Sequence, residues 1–349
     1  MTKVLITADW HFGHPERLDD LKWAFLKVID YCSDNNISKI FMLGDLTHNR
    51  EYLTHDVSNV IIELFNEMNS RNIEMILFPG NHDMFNRFNW DITSLKPFSN
   101  VVNIINDVSN FVYGGRKFWC VPFIESEKVY MKVIDTISKM ASSNDVLLTH
   151  IGISEATYNV CFLIQNWSIV NFDSTVFSRV YAGHFHCHQQ VGKAWYPGSP
   201  IAFRFDEGLV DHGFIVYDIE NNDHSFININ DIVSESDSIP PDFITSDDVD
   251  LIINNVKGNN VKILLKDGQD EAEIKKRLRD AGALKIVTVK PKEKVLKFNK
   301  GEMLKGGKDI FESWINYDNP DGLDKQILLS LEKDIRSQTR LEVEDHDID

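Results

Sequence analysis

Short apolar runs alternate with helical spacings over the first eighty residues. Residues 4–8 are an apolar run of strand length, and residues 15–35 place Leu18, Leu21, Phe25, Val28, Ile29 and Cys32 at intervals of three and four. That spacing predicts an amphipathic helix. A second run at 39–43 precedes a second helical pattern over 53–70, with Val57, Val60, Ile61, Leu64, Phe65 and Met68 on one face, and a third run follows at 75–78. Strands and helices in this alternation imply parallel strands joined by crossover helices, an α/β chain.

Beyond residue 100 the pattern turns strand-rich, with candidate strands at 117–123, 145–149, 179–182, 194–196, 213–219 and 224–229. Segment 231–247 is polar and contains Pro240-Pro241, so it reads as a linker. Residues 248–298 predict a small α+β unit, with a strand at 261–265, a helix at 270–281 and a strand at 284–290. Gly301, Gly306 and Gly307 make 299–308 a second linker. Residues 309–338 read as two short helices about Pro320 and Gly322, with apolar stripes Ile310, Phe311, Trp314, Ile315 and Leu323, Ile327, Leu328, Leu331, Ile335. Residues 340–349 form an acidic tail, and no internal repeat is present. The expected layout is a main domain over 1–235, the small unit over 248–298, and a helical pair over 309–338.

Composition narrows the class. In 349 residues, 43% hydrophobic and 26% charged is an ordinary globular mixture, which excludes wholesale disorder, collagen and coiled-coil rods. No stretch reaches the roughly 18–20 apolar residues of a membrane span. The first residues run directly into a strand pattern, so no signal peptide is expected. Cys32, Cys120, Cys161 and Cys187 form no CxxC pair, which suits a reducing cytoplasm and argues against a disulfide scaffold or thiolate zinc site. The net charge of −17 speaks against a nucleic-acid partner, yet residues 257–308 hold 15 Lys/Arg against 7 Asp/Glu. Such a cluster reads either as a phosphate-contacting surface or as a solvated face.

Histidines and carboxylates collect where the strand patterns end: Asp9 and His11, Gly44-Asp45 with His48, Gly80-Asn81-His82-Asp83, Thr149-His150, and Gly183-His184-Phe185-His186. Carboxyl ends of parallel strands open into one crevice. Any one cluster is commonly a turn, a cap or a satisfied core histidine; five in order, most flanked by glycine, point to one site. Carboxylate and imidazole donors suit a pair of divalent first-row ions.

These ordered blocks resemble the calcineurin-like metallophosphoesterases over about residues 1–230. Gly44-Asp45-x-x-His48 and Tyr196-Pro197-Gly198-Ser199 further resemble the SbcD-type branch that processes DNA double-strand breaks. Length and the appended segments are most like its short phage version, the recombination endonuclease subunit of T-even-type phages. Thr149 departs from the glycine usual before the histidine. The resemblance implies a four-layer sandwich with a small α+β capping domain and a C-terminal helical hairpin. It implies that Asp9, His11 and His186 hold one metal, that Asn81, His150 and His184 hold the other, and that Asp45 bridges them. Manganese is the usual ion of that branch. His82 would donate a proton to the leaving 3′-oxygen, Asp83 would orient His82, and His48 would be a second active-site histidine. The implied protein is a cytoplasmic DNA exo/endonuclease subunit, in the host cytoplasm if phage-encoded. It would pair as a homodimer through helical faces near 50–70 and 84–99, and its hairpin would dock an SbcC-type ABC ATPase on its coiled coil. Two other functions fit the blocks alone: a phosphatase or cyclic-nucleotide phosphodiesterase on a small substrate, and a scaffold with a relic site. His48 and the segments after 248 favour the nuclease. The complete ligand set disfavours the relic. His14, Cys187 and His188 read as structural, and Trp10 and Phe12 as packing beneath the site.

Overall fold

Alternate residues of the first strand, Lys3–Thr7, serve two different apolar layers. Val4 and Ile6 point into a layer shared with Phe41, Phe118, Leu148 and Tyr217, whereas Leu5 joins Phe25, Ile40 and Leu64 on the opposite side. A strand buried on both faces reads as a continuous apolar run, which is why 4–8 and 39–43 show no polar alternation. The computed structural model describes residues 2–86, 89–154, 156–159, 162–163, 172–208, 210–233, 240–266 and 268–290, with the side chains of 89–92, 157–159 and 162–163 excepted.

Two six-stranded mixed sheets face each other. The first runs Asp223–Asn228, Gly213–Asp218, Lys3–Thr7, Lys39–Met42, Glu74–Leu77, Asn103–Ile104; its last four strands are parallel and its first two antiparallel. The second runs Gln189–Val191, Ala194–Tyr196, Arg179–Gly183, Val146–His150, Arg116–Val121, Ser109–Tyr113, with parallel centre and antiparallel edges. Helices Leu18–Asp34 and His55–Ser70 cover the outer face of the first sheet, and Glu127–Ser138 covers the second. The order is therefore helix, sheet, sheet, helix, the four-layer sandwich expected. Phe41, Phe118 and Tyr217 are fully buried between the sheets. Burying a side chain of the Val/Leu/Ile/Phe/Met class is worth about 1.5–3 kcal/mol over leaving it exposed. Helix starts are fixed locally: Thr54 and Ser126 accept hydrogen bonds from the backbone N–H groups of Val57 and Val129. No helix among the described residues is long and apolar enough to cross a membrane.

The small unit is a parallel three-stranded sheet, Phe243–Ser246, Asn260–Leu264 and Lys285–Val289, backed by helix Glu271–Asp280. Val249, Val256, Val261, Ile263, Leu265, Ile274 and Leu278 make its core. Its first strand lies inside the segment read as a linker. The four residues Phe-Ile-Thr-Ser are flanked by polar residues and prolines, so the strand is defined by pairing with 260–264 and not by local pattern. The expected linker at 299–308, helical pair at 309–338 and tail at 340–349 lie outside the described residues.

Two expectations need correction. The apolar face of His55–Ser70 (Val57, Ile61, Leu64, Phe65, Met68) is buried in the core, so it is not free for a second copy. Met84–Asn86 and Asn89–Thr93 form an antiparallel strand pair and not a helix; Met84 is buried and Phe85 exposed. The basic cluster is also partly spent. Lys266, Lys275, Arg277, Lys285 and Lys290 pair with Asp247, Glu271, Asp250, Glu16 and Glu271 respectively.

Candidate metal centre

The five blocks meet at the carboxyl ends of both sheets. The loops after the first two strands are zipped together: Asp9 N–H donates to Gly44 O at 3.1 Å, His11 N–H to Asp45 O at 3.0 Å, Phe12 N–H to Leu46 O at 2.8 Å and His48 N–H to Phe12 O at 2.9 Å. Asp9, His11, Asp45 and His184 all have positive φ, at 56°, 47°, 53° and 113°. Non-glycine residues hold such angles only where surroundings over-determine them, and such residues cluster at functional sites. The flanking glycines are required by crowding. A Cβ at Gly80 would sit 2.2 Å from Asp45 Oδ1, one at Gly44 2.6 Å from His150 Nδ1, and one at Gly183 2.3 Å from Leu43 O.

All seven implied ligands lie in one cluster, five of them buried and His184 and His186 part-buried. Donor atoms of Asp9, His11 and His186 form one group within 4.8 Å of one another, and those of Asp9, Asp45 and His150 form a second. His11 Nε2 faces His186 Nε2 at 3.0 Å. Asp45 Oδ2, of the second group, is 3.7 Å from His11 Nε2 of the first and 3.5 Å from His150 Nε2, and Asp9 is common to both groups. Asn81 Oδ1 lies 3.1 Å from His150 Nε2 and 2.8 Å from His184 Nδ1. The His184 N–H donates to both oxygens of Asp9, at 3.1 and 3.0 Å. His150 Nδ1–H donates to Leu43 O at 2.7 Å, which directs Nε2 into the cluster.

His82 donates from Nδ1–H to the His48 carbonyl at 2.7 Å, so its Nε2 is the free nitrogen; its own N–H donates to Asp45 Oδ1 at 2.7 Å. The His48 and His82 rings stack at 5.6 Å, and a third group of facing donors is His11, His48 and His82. Asp83 does not orient His82. Its carboxylate accepts from the N–H groups of Leu46 at 3.3 Å, Thr47 at 2.9 Å and Gly80 at 2.9 Å, and from the Thr47 hydroxyl at 3.1 Å. The turn after Asn81 aims Asp83 backwards, and it ties the second and third loops together. His14, expected to be a plain loop residue, has its ring 4.8 Å from His48 and 4.9 Å from Phe203 at the edge of the cluster. Trp10 and Phe12 are buried and packed on Phe25, beneath the site.

The electrostatics fit a cation-binding centre. Burial pushes Asp9 up to about 7, offset in part by His150 and His186. Burial and the Asp45 charge push Asp83 up to about 7. Burial also works to raise Asp45, but His150, His82 and His11 outweigh it and hold the carboxyl well below its ordinary range. Burial opposes the charge on His150, yet the Asp45 carboxylate lifts it to about 9. Burial and neighbouring histidines hold His48 down at about 4 and His184 at about 3. Carboxylates massed with imidazoles are the donor set of a hard-to-borderline divalent ion. The buried Nδ1 of His11 has no hydrogen-bond partner among the described residues, while Nε2 of the same ring faces the other donors.

One residue escaped sequence reasoning. Glu207 is fully buried and accepts His186 Nδ1–H at 2.9 Å. Thr149, in place of the usual glycine, has its hydroxyl 2.9 Å from the buried Tyr130 hydroxyl, so the departure is satisfied locally and His150 keeps its place.

Comparison with known proteins agrees with this geometry. The Calcineurin-like phosphoesterase family profile matches residues 2–188. The chain is 25% identical over 255 residues to the SbcD subunit of the nuclease SbcCD from Staphylococcus epidermidis, covering 63% of this chain and 67% of that one. Among solved structures it is similar to the Pseudomonas putida nuclease MPE at 14% identity and TM-score 0.30, covering 55% of this chain and 66% of that one. It is also similar to a dimetal phosphatase from Danio rerio at 14% identity and TM-score 0.36, covering 62% and 91%. With the matched segment spanning more than half the chain and every motif at a strand end, the protein belongs to the calcineurin-like phosphoesterase family of metal-dependent hydrolases.

Proposed function

We propose that this chain is a manganese-dependent DNA nuclease, the SbcD-like subunit of a recombination and double-strand-break processing complex of the compact phage type. The observation that supports it is the placement of His48 and His82 together beside the seven donors. Asp9, His11 and His186 would hold one ion, Asn81, His150 and His184 the other, with Asp45 shared. When bound, two such ions neutralise phosphate charge and make water nucleophilic at neutral pH. The chain's own contribution is proton management. His82, fixed at Nδ1, presents Nε2 to protonate the leaving 3′-oxygen, and His48 walls the same side in neutral form. Manganese-dependent degradation of linear duplex DNA, compared with an activated aryl phosphodiester and a phosphomonoester, tests this. Turnover confined to the monoester would make the protein a phosphatase and overturn the reading.

The small unit supplies the DNA contact in this proposal. Lys262, Lys276 and Arg279 have no ion pair among the described residues, unlike Lys275. Lys276→Glu with Arg279→Glu is expected to weaken duplex binding at low salt and flatten its salt dependence, since each lost phosphate contact lowers the slope by about 0.9. Unchanged affinity and slope in a filter-binding titration would leave the cluster a solvated face. A homodimer would use exposed residues such as Tyr52 and Phe85; a monomer by light scattering at micromolar concentration contradicts it. The 309–338 stripes would dock the SbcC-type ATPase, because helices this short are marginal alone. Persistent co-purification of Trp314→Ala/Leu331→Ala with that partner excludes this.

A further inference from the structure

Glu207 is placed by the fold and by no local motif. It lies 21 residues after His186, yet its side chain is wholly buried against that histidine. Glutamate is almost never fully buried unless paired. Both of its oxygens are committed. Oε1 accepts His186 Nδ1–H at 2.9 Å and the Arg204 guanidinium at 3.2 and 3.1 Å; Oε2 accepts Phe203 N–H at 2.8 Å.

The turn that carries Glu207 is itself clamped. Arg17 donates to Ala202 O at 2.9 Å and to Pro241 O at 3.0 Å, Thr245 Oγ1 donates to Phe205 O at 3.2 Å, and the Phe205 and Phe243 rings meet at 5.0 Å. The approach at Gly208 is so close that a Cβ there would lie 1.9 Å from Phe243 O. Phe203, in the same turn, packs edge-on against His11 at 5.6 Å and against His186 at 5.4 Å. The carboxylate is therefore held rigidly from the small unit's side, and the imidazole is held by the carboxylate.

We propose that Glu207 is the positioning residue of His186. It fixes Nδ1 as the protonated nitrogen, turns Nε2 toward His11 Nε2, and so sets the affinity of the ion held by Asp9, His11 and His186. A hydrogen-bonded carboxylate behind a ligating imidazole orients the ring and raises its basicity. The positioning role rests on the reading of His186 as a ligand.

Mn2+ binding to the purified full chain, followed by calorimetry and by elemental analysis after gel filtration, tests it with activity set aside. Glu207→Ala is expected to weaken one of two ions by roughly 10- to 100-fold and leave the other unchanged. Glu207→Gln, which can still accept the Nδ1–H, is expected to recover most of that loss. His186→Ala separates the two ideas: it should lose the same ion. If His186→Ala keeps both ions at native affinity, the ligand assignment fails. If His186→Ala loses an ion but Glu207→Ala binds both normally, the positioning role alone fails. A Glu207→Ala chain that weakens both ions equally, or that Gln does not rescue, marks a merely structural glutamate and also overturns the proposal.

Discussion

Asp45→Asn is expected to leave less than one tightly bound divalent ion per chain and to lower turnover by roughly 10³-fold or more, the equivalent of the several kcal/mol that metal-centred charge stabilisation supplies. Asp45 is buried at 2% exposure, with Oδ2 3.7 Å from His11 Nε2 and 3.5 Å from His150 Nε2. Its second oxygen holds the His82 N–H. An asparagine keeps the shape. Its amide oxygen can still accept that N–H while its NH2 group faces His150. What disappears is the charge within 3.7 Å of His11 Nε2 and 3.5 Å of His150 Nε2, so on the bridging proposal both ions should loosen, whereas His186→Ala should loosen one. Elemental analysis with a thermal melt in chelator distinguishes this from misfolding: the metal-free variant should melt no lower than the metal-free parent. Native stoichiometry and turnover would sink the bridging assignment.

The parts of this site that could be read from sequence are those where chemistry and crowding act on neighbouring residues. At 44, 80 and 183 a Cβ would come within 2.2–2.6 Å of His150, Asp45 or Leu43, so glycine stands beside the ligands in the sequence. The inner strands were readable because both faces are apolar. Ser109–Tyr113 was not, because it is a half-exposed edge whose register is set by Arg116–Val121. Phe243–Ser246 was hidden by its polar flanks. Asp83 shows the limit of adjacency: next to His82 in sequence, it points away to Leu46 and Thr47 because the turn reverses the backbone. Glu207 shows the converse, since a contact made across 21 residues through a packed turn leaves no local spacing to find.

His82→Ala is expected to keep both ions and to lose about 10²- to 10⁴-fold in turnover, the usual worth of a positioned proton-transfer group. The backbone N–H of His82, and not its ring, holds Asp45, so truncation leaves the shared carboxylate in place. The ring is fixed through Nδ1 to the His48 carbonyl and packs at 4.8 Å from His11, so the nitrogen that faces the reaction is Nε2. If that nitrogen protonates the departing oxygen, the loss must depend on how much the leaving group needs a proton. A nitrophenolate leaves without one; the 3′-oxygen of a deoxyribose does not. The variant should therefore fall far more on duplex DNA than on an activated aryl phosphodiester, with manganese stoichiometry at the parent value throughout. Equal losses on both substrates would remove His82 from proton transfer and leave it as a stabiliser of phosphate charge. Loss of an ion alongside activity would make it a ligand, consistent with its place in the His11, His48 and His82 group, and would move the proton-donor role to another residue.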